Sequence, residues 1–310
     1  MMKKILSILI FLVISQTSFA GSLDYKGLKK LSKNNTFMDD KGKPYSEEKI
    51  VDKKNSLLII YNHGSIGDHK KDPCKAKPKF GYIWDAAVAP AILKLHNKKI
   101  KGLEIKIYRL CSGVIGMSVK DQIKYSKQLE SKGKIELVDE FKNLKRQNII
   151  IDKVEKFKSM GFENIVLAGW SAGGWASLNL QSRFPDKIRG AIAFNPAFAG
   201  PKNEWQKQYP EWGAFREDQV NIFNQSDSLN ALLFAHDKDV YEDSDTLSFF
   251  KKFKGLQFID YSEVKPTTCT WADVNKKMES NKGHNIPQST CFTKFINKNN
   301  YLINYLENIF

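Results

Sequence analysis

The chain has 310 residues, with 49 Lys and Arg against 34 Asp and Glu, a formal net charge of +15. Its lysines are scattered in pairs such as Lys29-Lys30, Lys53-Lys54, Lys70-Lys71, Lys98-Lys99 and Lys251-Lys252. A nucleic-acid binder would cluster them on one element with aromatics between, so no nucleic-acid partner is expected, only a solvated basic surface that draws anionic substrates or membrane surfaces weakly.

Residues 1–20 read as a targeting segment. Lys3-Lys4 form a charged start, residues 5–14 an apolar core, and Ser18-Phe19-Ala20 a small-x-small cleavage site. Ten apolar residues are too few to span a bilayer as a helix. No cysteine follows the cleavage site, so neither a lipid anchor nor any other stable membrane anchor is expected after cleavage; an uncleaved anchor is the alternative. Residues 21–310 are then a single domain in an oxidising compartment, periplasmic or secreted. No internal repeat, low-complexity tract or long linker divides it.

Four cysteines fit that compartment: Cys74, Cys111, Cys269 and Cys291. None forms a C-x-x-C metal pair, and two disulfides are the simplest reading, with four free thiols as the alternative.

Residues 21–54 are polar and suggest no element. Residues 56–61 (SLLIIY) form an apolar run of strand length, suited to a strand buried on both faces. It runs into Asn62-His63-Gly64-Ser65, where glycine lets the backbone turn toward a ligand. A helix is predicted over 82–96, a strand over 103–110, and a helix between 134 and 161 from apolar residues at Val138, Phe141, Leu144, Ile150, Val154 and Phe157.

Residues 164–180 (NIVLAGWSAGGWASLNL) organise the rest. A short apolar strand, the pattern Gly169-Trp170-Ser171-Ala172-Gly173, and a helix-compatible segment follow one another. A serine at a strand-to-helix elbow sits in strained backbone with its hydroxyl clear of the sheet, and the glycines let strand and helix approach. The N–H of Ala172 then points at the oxygen of a bound substrate, where the helix N-terminus favours developing negative charge.

Beyond the elbow, strands are predicted over 188–194, 229–235 and 256–261, and helices over 246–253 and 292–309. Strands alternating with helices argue for a mostly parallel sheet covered on both faces. Residues 201–223 carry Trp205, Tyr209, Trp212, Phe215 and Phe223 without clean periodicity. His236-Asp237-Lys238-Asp239 closes one strand, and Gly283-His284 lies in a later loop.

The GWSAG elbow, the NHGS loop, an acid after a later strand and a GH near the end together resemble the α/β-hydrolase superfamily, nearest its dienelactone-hydrolase-like and serine esterase-peptidase branches. The resemblance covers about 56–310. It implies a triad of Ser171, Asp239 and His284, and a second oxyanion donor near Gly64 or Ser65. It also implies a cap, for which 201–223 is the candidate insertion; core packing of its aromatics is the alternative. The chain departs from the family in having Val240 after the acid, no HGGG run, and a serine where dienelactone hydrolases have cysteine.

Among the five histidines, His284 alone lies downstream of the acid. His96 falls in a predicted helix, His63 in the oxyanion loop, His69 in a polar loop, and His236 before the acid. Asp237 is the second candidate acid; Asp227 and Asp243 are remote ones. Trp170, Trp205 and Trp212 are candidate substrate-pocket residues. The disulfides are expected as Cys74–Cys111, at one sheet edge near the oxyanion loop, and Cys269–Cys291, bracketing His284. The expected activity is cleavage of a carboxylic ester on a small-molecule or acyl substrate, with no metal or organic cofactor. A peptidase or acyltransferase with the same triad, or a non-catalytic binding protein on the same fold, are the alternatives.

Overall fold

The computed structural model describes residues 35–65, 88–112, 142–207, 210–271, 277–278 and 283–310. The leader at 1–20, His69, Cys74 and Tyr209 lie outside them. Among the described residues nine strands form one sheet: β1 (Thr36–Met38), β2 (Pro44–Tyr45), β3 (Ser56–Asn62), β4 (Lys99–Ile100), β5 (Leu103–Leu110), β6 (Asn164–Trp170), β7 (Gly190–Phe194), β8 (Ser228–Ala235) and β9 (Lys254–Asp260). The helices among the described residues are α1 (Pro90–Leu93), α2 (Lys142–Ser159), α3 (Ala172–Arg183), α4 (Lys202–Lys207), α5 (Pro210–Phe223), α6 (Thr290–Lys298) and α7 (Tyr301–Ile309).

Across the sheet the order is β2-β1-β5-β3-β6-β7-β8-β9, with β4 pairing β5. From β5 to β9 every neighbouring pair is parallel. Only the β1, β2 and β4 pairings are antiparallel. The expected mostly parallel sheet is therefore present. Its centre needs two covers, and β3 shows why: all seven of its residues are buried. Leu57, Ile59 and Tyr61 join a cluster with Ile92, Phe292, Leu302 and Leu306 of α1, α6 and α7. Leu58 and Ile60 join the opposite one, with Ile150, Val154 and Phe157 of α2 and Leu180 of α3. Each such side chain contributes about 1.5–3 kcal/mol over its exposed state. Next to α3, Phe215, Val220 and Phe223 of α5 pack with Ala191, Ala231 and Leu233 of β7 and β8. Two of the aromatics in the cap candidate are thus core.

Several expectations change. The helix expected over 82–96 is limited, among described residues, to α1, which ends ahead of His96; that histidine packs on Tyr45 instead. The closing helix is two helices, broken where Asn300 adopts the left-handed conformation at φ 53°. Residues 246–253 contain only a short 3-10 turn, Ser248–Lys252. The polar 21–54 stretch supplies the β1–β2 hairpin, whose turn is tied by Asp39 Oδ1 accepting from the N–H groups of Lys41 and Lys43. The β4–β5 hairpin turns through Lys101 at φ 46° and Gly102 at φ 89°, two positive values whose twist suits a tight hairpin.

β3 and β6 to β9 are parallel, so their C-terminal ends lie along one edge of the sheet. Ligands of open α/β sheets bind at that edge. Gly64 follows β3, Ser171 follows β6, Asn195 follows β7, and Asp239 follows β8.

Candidate active site

Ser171 joins β6 to α3 with φ 56° and ψ −125°. A non-glycine residue held there stores about 1–3 kcal/mol of strain, which the surroundings must over-determine. They do so through the main chain. Ser171 N–H donates to the carbonyl of Phe194, and the Ser171 carbonyl accepts from Trp175 and Ala197. Glycine is required at 173 by contact: a Cβ there would lie 2.2 Å from the Asn62 carbonyl oxygen and 2.5 Å from that of His63. The elbow and the β3 turn are therefore pressed backbone to backbone. Gly64 is the matching residue on the β3 side, since its Cβ would lie 2.8 Å from the Trp170 ring and 3.3 Å from Ser171 Cβ. Ala172 opens α3, so its N–H has no intrahelical acceptor. Ser171 is buried, at 8% exposure.

His284 Nδ1 lies 2.7 Å from Asp239 Oδ2. Both side chains are buried. A carboxylate there accepts Nδ1–H, fixes the tautomer, and leaves Nε2 as a base. The other oxygen, Asp239 Oδ1, accepts from Tyr241 N–H at 2.8 Å. Asp237 turns away: its N–H bonds Ser262 Oγ and its carboxylate meets Lys238. Of the two candidate acids, then, it is Asp239 that meets the histidine. His284 sits in a 3-10 turn, Gly283–Gln288, that docks on the acid loop through Gly283 N–H to the Lys238 carbonyl at 2.8 Å. His236 is taken up in this packing, with Nε2 3.0 Å from the Val264 carbonyl and Nδ1 accepting from Lys238 N–H.

Two side chains that sequence reasoning did not single out, Asn195 and Tyr241, contact His284. Asn195, buried at the end of β7 with φ 44°, donates through Nδ2 to the carbonyls of Gly283 and His284 at 2.9 and 3.1 Å. Its Oδ1 accepts from Tyr261 OH at 2.8 Å. The Tyr241 ring lies 4.3 Å from the imidazole, centre to centre. Glu242, wholly buried one residue further on, takes Arg216 Nε on both oxygens at 2.8 Å. Burial pushes that carboxyl up to about 8 against the pull of Arg216. The one signal in the sequence was Asn195-Pro196, an asparagine at a strand end.

Trp170, expected in the pocket, is buried and braces the site: its Nε1–H donates to the His284 carbonyl at 2.8 Å while its ring covers Gly64. Trp212 is half-buried on α5, and the Trp205 side chain lies outside the described ones. Ser65 is half-buried and His63 buried, with His63 Nδ1 directed at the Gly64 carbonyl. Cys269 and Cys291 are joined, their Cα atoms 5.4 Å apart. Cys111 is also disulfide-bonded; its expected partner, Cys74, is outside the described residues. Among the described residues no group of three or more His, Cys, Asp or Glu is placed to hold a metal ion.

No protein-family model and no curated protein matches the chain. Solved structures do resemble it. Est1E from Butyrivibrio proteoclasticus is 14% identical with a TM-score of 0.42, over 67% of this chain and 78% of that one. The metagenome-derived lipolytic enzymes LipS and LipT give 9% and 0.45, over 88% and 98%. Oligopeptidase B from Leishmania major gives 10% and 0.46, over 89% of this chain and 37% of that one.

Proposed function

We propose that this chain, which has the α/β-hydrolase fold, is a serine hydrolase that cleaves a carboxylic ester through an acyl-enzyme. The strand-to-helix elbow and the succession of serine, acid and histidine along the chain are those of that fold. One observation carries the reading: a serine strained at the elbow after β6 shares a sheet edge with an imidazole whose Nδ1 is held by a buried aspartate at 2.7 Å.

In the proposed reaction Ser171 Oγ attacks the ester carbonyl carbon and its proton passes to His284 Nε2. The carbonyl oxygen becomes an oxyanion facing the N–H of Ala172 and that of Gly64 or Ser65. The imidazolium, stabilised by Asp239, protonates the leaving alcohol as the C–O bond breaks. Water, deprotonated by the same Nε2, then attacks the acyl-serine, and the acid departs with Ser171 regenerated. Trp212 is the expected aromatic on the acyl side. A periplasmic or secreted location belongs to the same proposal, and the Cys269–Cys291 bridge supports it.

A panel of acyl esters beside aminoacyl amides and an acyl-acceptor alcohol, run on the parent and on Ser171→Ala, tests the reading. Ester turnover lost in Ser171→Ala is expected. Turnover of amides alone would replace esterase by peptidase, transfer to the alcohol would indicate an acyltransferase, and no turnover with no labelling of Ser171 would leave a binding protein.

A further inference from the structure

The β3 turn at His63-Gly64 is held from behind by a charged side chain. Arg146 of α2 is buried, at 3% exposure. Its Nη1 donates to the His63 carbonyl at 2.6 Å, and its Nη2 makes a longer contact of 3.4 Å to the Gly64 carbonyl, whose nearer partner is His63 Nδ1. Among the described residues both of its hydrogen bonds go to these two consecutive carbonyls. Burial pushes the guanidinium down to about 10, which leaves it charged at neutral pH. Desolvating a cation is expensive, and a neutral amide donor would satisfy two carbonyls at lower cost.

The geometry of the peptide unit says what the charge does. No peptide bond here is cis, and in a trans unit C=O and N–H point in opposite directions. The peptide whose oxygen is the His63 carbonyl carries the Gly64 N–H; the one whose oxygen is the Gly64 carbonyl carries the Ser65 N–H. With both carbonyls turned to Arg146, both N–H groups point away from it. Gly64 lies beside Ser171: a Cβ built on it would be 3.3 Å from Ser171 Cβ. The turn cannot swing back, because the carbonyls of Asn62 and His63 rest on Gly173. A cation bonded to a carbonyl also polarises that peptide and strengthens its N–H as a donor.

We propose that Arg146 is a positioning residue for the oxyanion hole: it aims the N–H groups of Gly64 and Ser65 at the oxygen of a substrate on Ser171, and its charge strengthens them as donors. This rests on the hydrolase reading. The role is exerted only when the carbonyl oxygen becomes an anion, so it acts on kcat and not on ground-state binding.

The test uses the full-length protein, an ester that the parent cleaves, and an alkylboronic acid, which forms a tetrahedral anion on the serine. Arg146→Met is expected to lower kcat by about 10²–10³, the range seen on losing one oxyanion donor, with KM changed less than about threefold. The boronic acid should weaken by a similar factor. Arg146→Lys keeps the charge and one bond and should recover at least tenfold of the loss on both readouts. Should Arg146→Met fail to fold, Arg146→Leu, which also removes both the charge and the donors, takes its place with the same expectation. A folded variant without the cation that keeps kcat and boronate affinity within about threefold of the parent overturns the role, as does a loss confined to melting temperature and KM. Ser171→Ala, run alongside, separates the two readings. Turnover that survives Ser171→Ala refutes the hydrolase reading itself. Turnover lost there but kept in Arg146→Met refutes the positioning role alone.

Discussion

The Cys269–Cys291 bridge spans a sequence separation of 22 and encloses His284. Among the described residues the base of that loop is also tied by the Thr270 and Thr290 hydroxyls, 2.8 Å apart. Its backbone bonds there are Met278 N–H to the Cys269 carbonyl and Thr290 N–H to the Thr270 carbonyl, with single bridges at Thr270–Lys277 and Trp271–Ser289. In the chain-entropy model a closed loop of this length is worth about 3 kcal/mol. Cys269→Ala with Cys291→Ala should therefore lower the melting temperature by about 6–12 °C, at about 2–4 °C per kcal/mol. The double variant is cleaner than reduction because it leaves the bridge at Cys111 intact. Catalysis should suffer sooner than the fold, because a 1 Å misplacement near the reacting atoms costs about 10²-fold. Urea titrations read by ester turnover and by far-UV circular dichroism are expected to coincide in the parent. They should separate in the variant, with turnover lost first. Coincident transitions in the variant, or an unchanged melting temperature, would refute the claim that the bridge orders the histidine loop.

Other outcomes follow from single contacts. Gly173→Ala places a Cβ against two backbone carbonyls that no rotamer change can relieve; it should cost about 3 kcal/mol or more in urea unfolding and displace the β3 turn, cutting kcat as well. Asn195→Ala removes two bonds to the carbonyls of Gly283 and His284 and takes the acceptor from Tyr261 OH. A loss of about 1–3 kcal/mol with a slower reaction at Ser171 is expected, read by thermal melts and by labelling rate. Glu242 holds its proton more tightly folded than unfolded, with its carboxyl raised from 4.5 to about 8 by burial. Folding therefore takes up a proton between those values, and the stability it contributes is present below the lower one and lost as pH rises through the upper. Melting temperature followed from pH 5 to 9 should show that fall in the parent and a flatter profile in Glu242→Gln; parallel profiles would count against it.

The central strands were legible because burial on both faces leaves continuous apolar runs. Residues 103–110 are the strand expected, and 56–61 extends by only Asn62. The elbow was legible because strain and close approach restrict residue types at fixed spacing. What escaped depended on partners distant in sequence or on very short elements. Arg146 reads as an ordinary polar residue of an amphipathic helix; only folding brings it to a carbonyl 83 positions away. Asn195 and Glu242 gain their meaning from Gly283 and Arg216 in the same way. The strands β1 and β2 have three and two residues, too few for a period of two to declare itself. The break between α6 and α7 was written as Asn299-Asn300, a residue type that tolerates positive φ, but the apolar pattern runs through it.

The central claim is that Ser171 is a nucleophile activated by the His284–Asp239 pair. Incubation with a fluorophosphonate followed by peptide mass spectrometry tests it most directly. The expected result is one phosphonyl adduct, on the peptide carrying Ser171, absent in Ser171→Ala and formed slower by on the order of 10³-fold or more in His284→Ala. An adduct on any other residue, or equal labelling of the parent and His284→Ala, would contradict it.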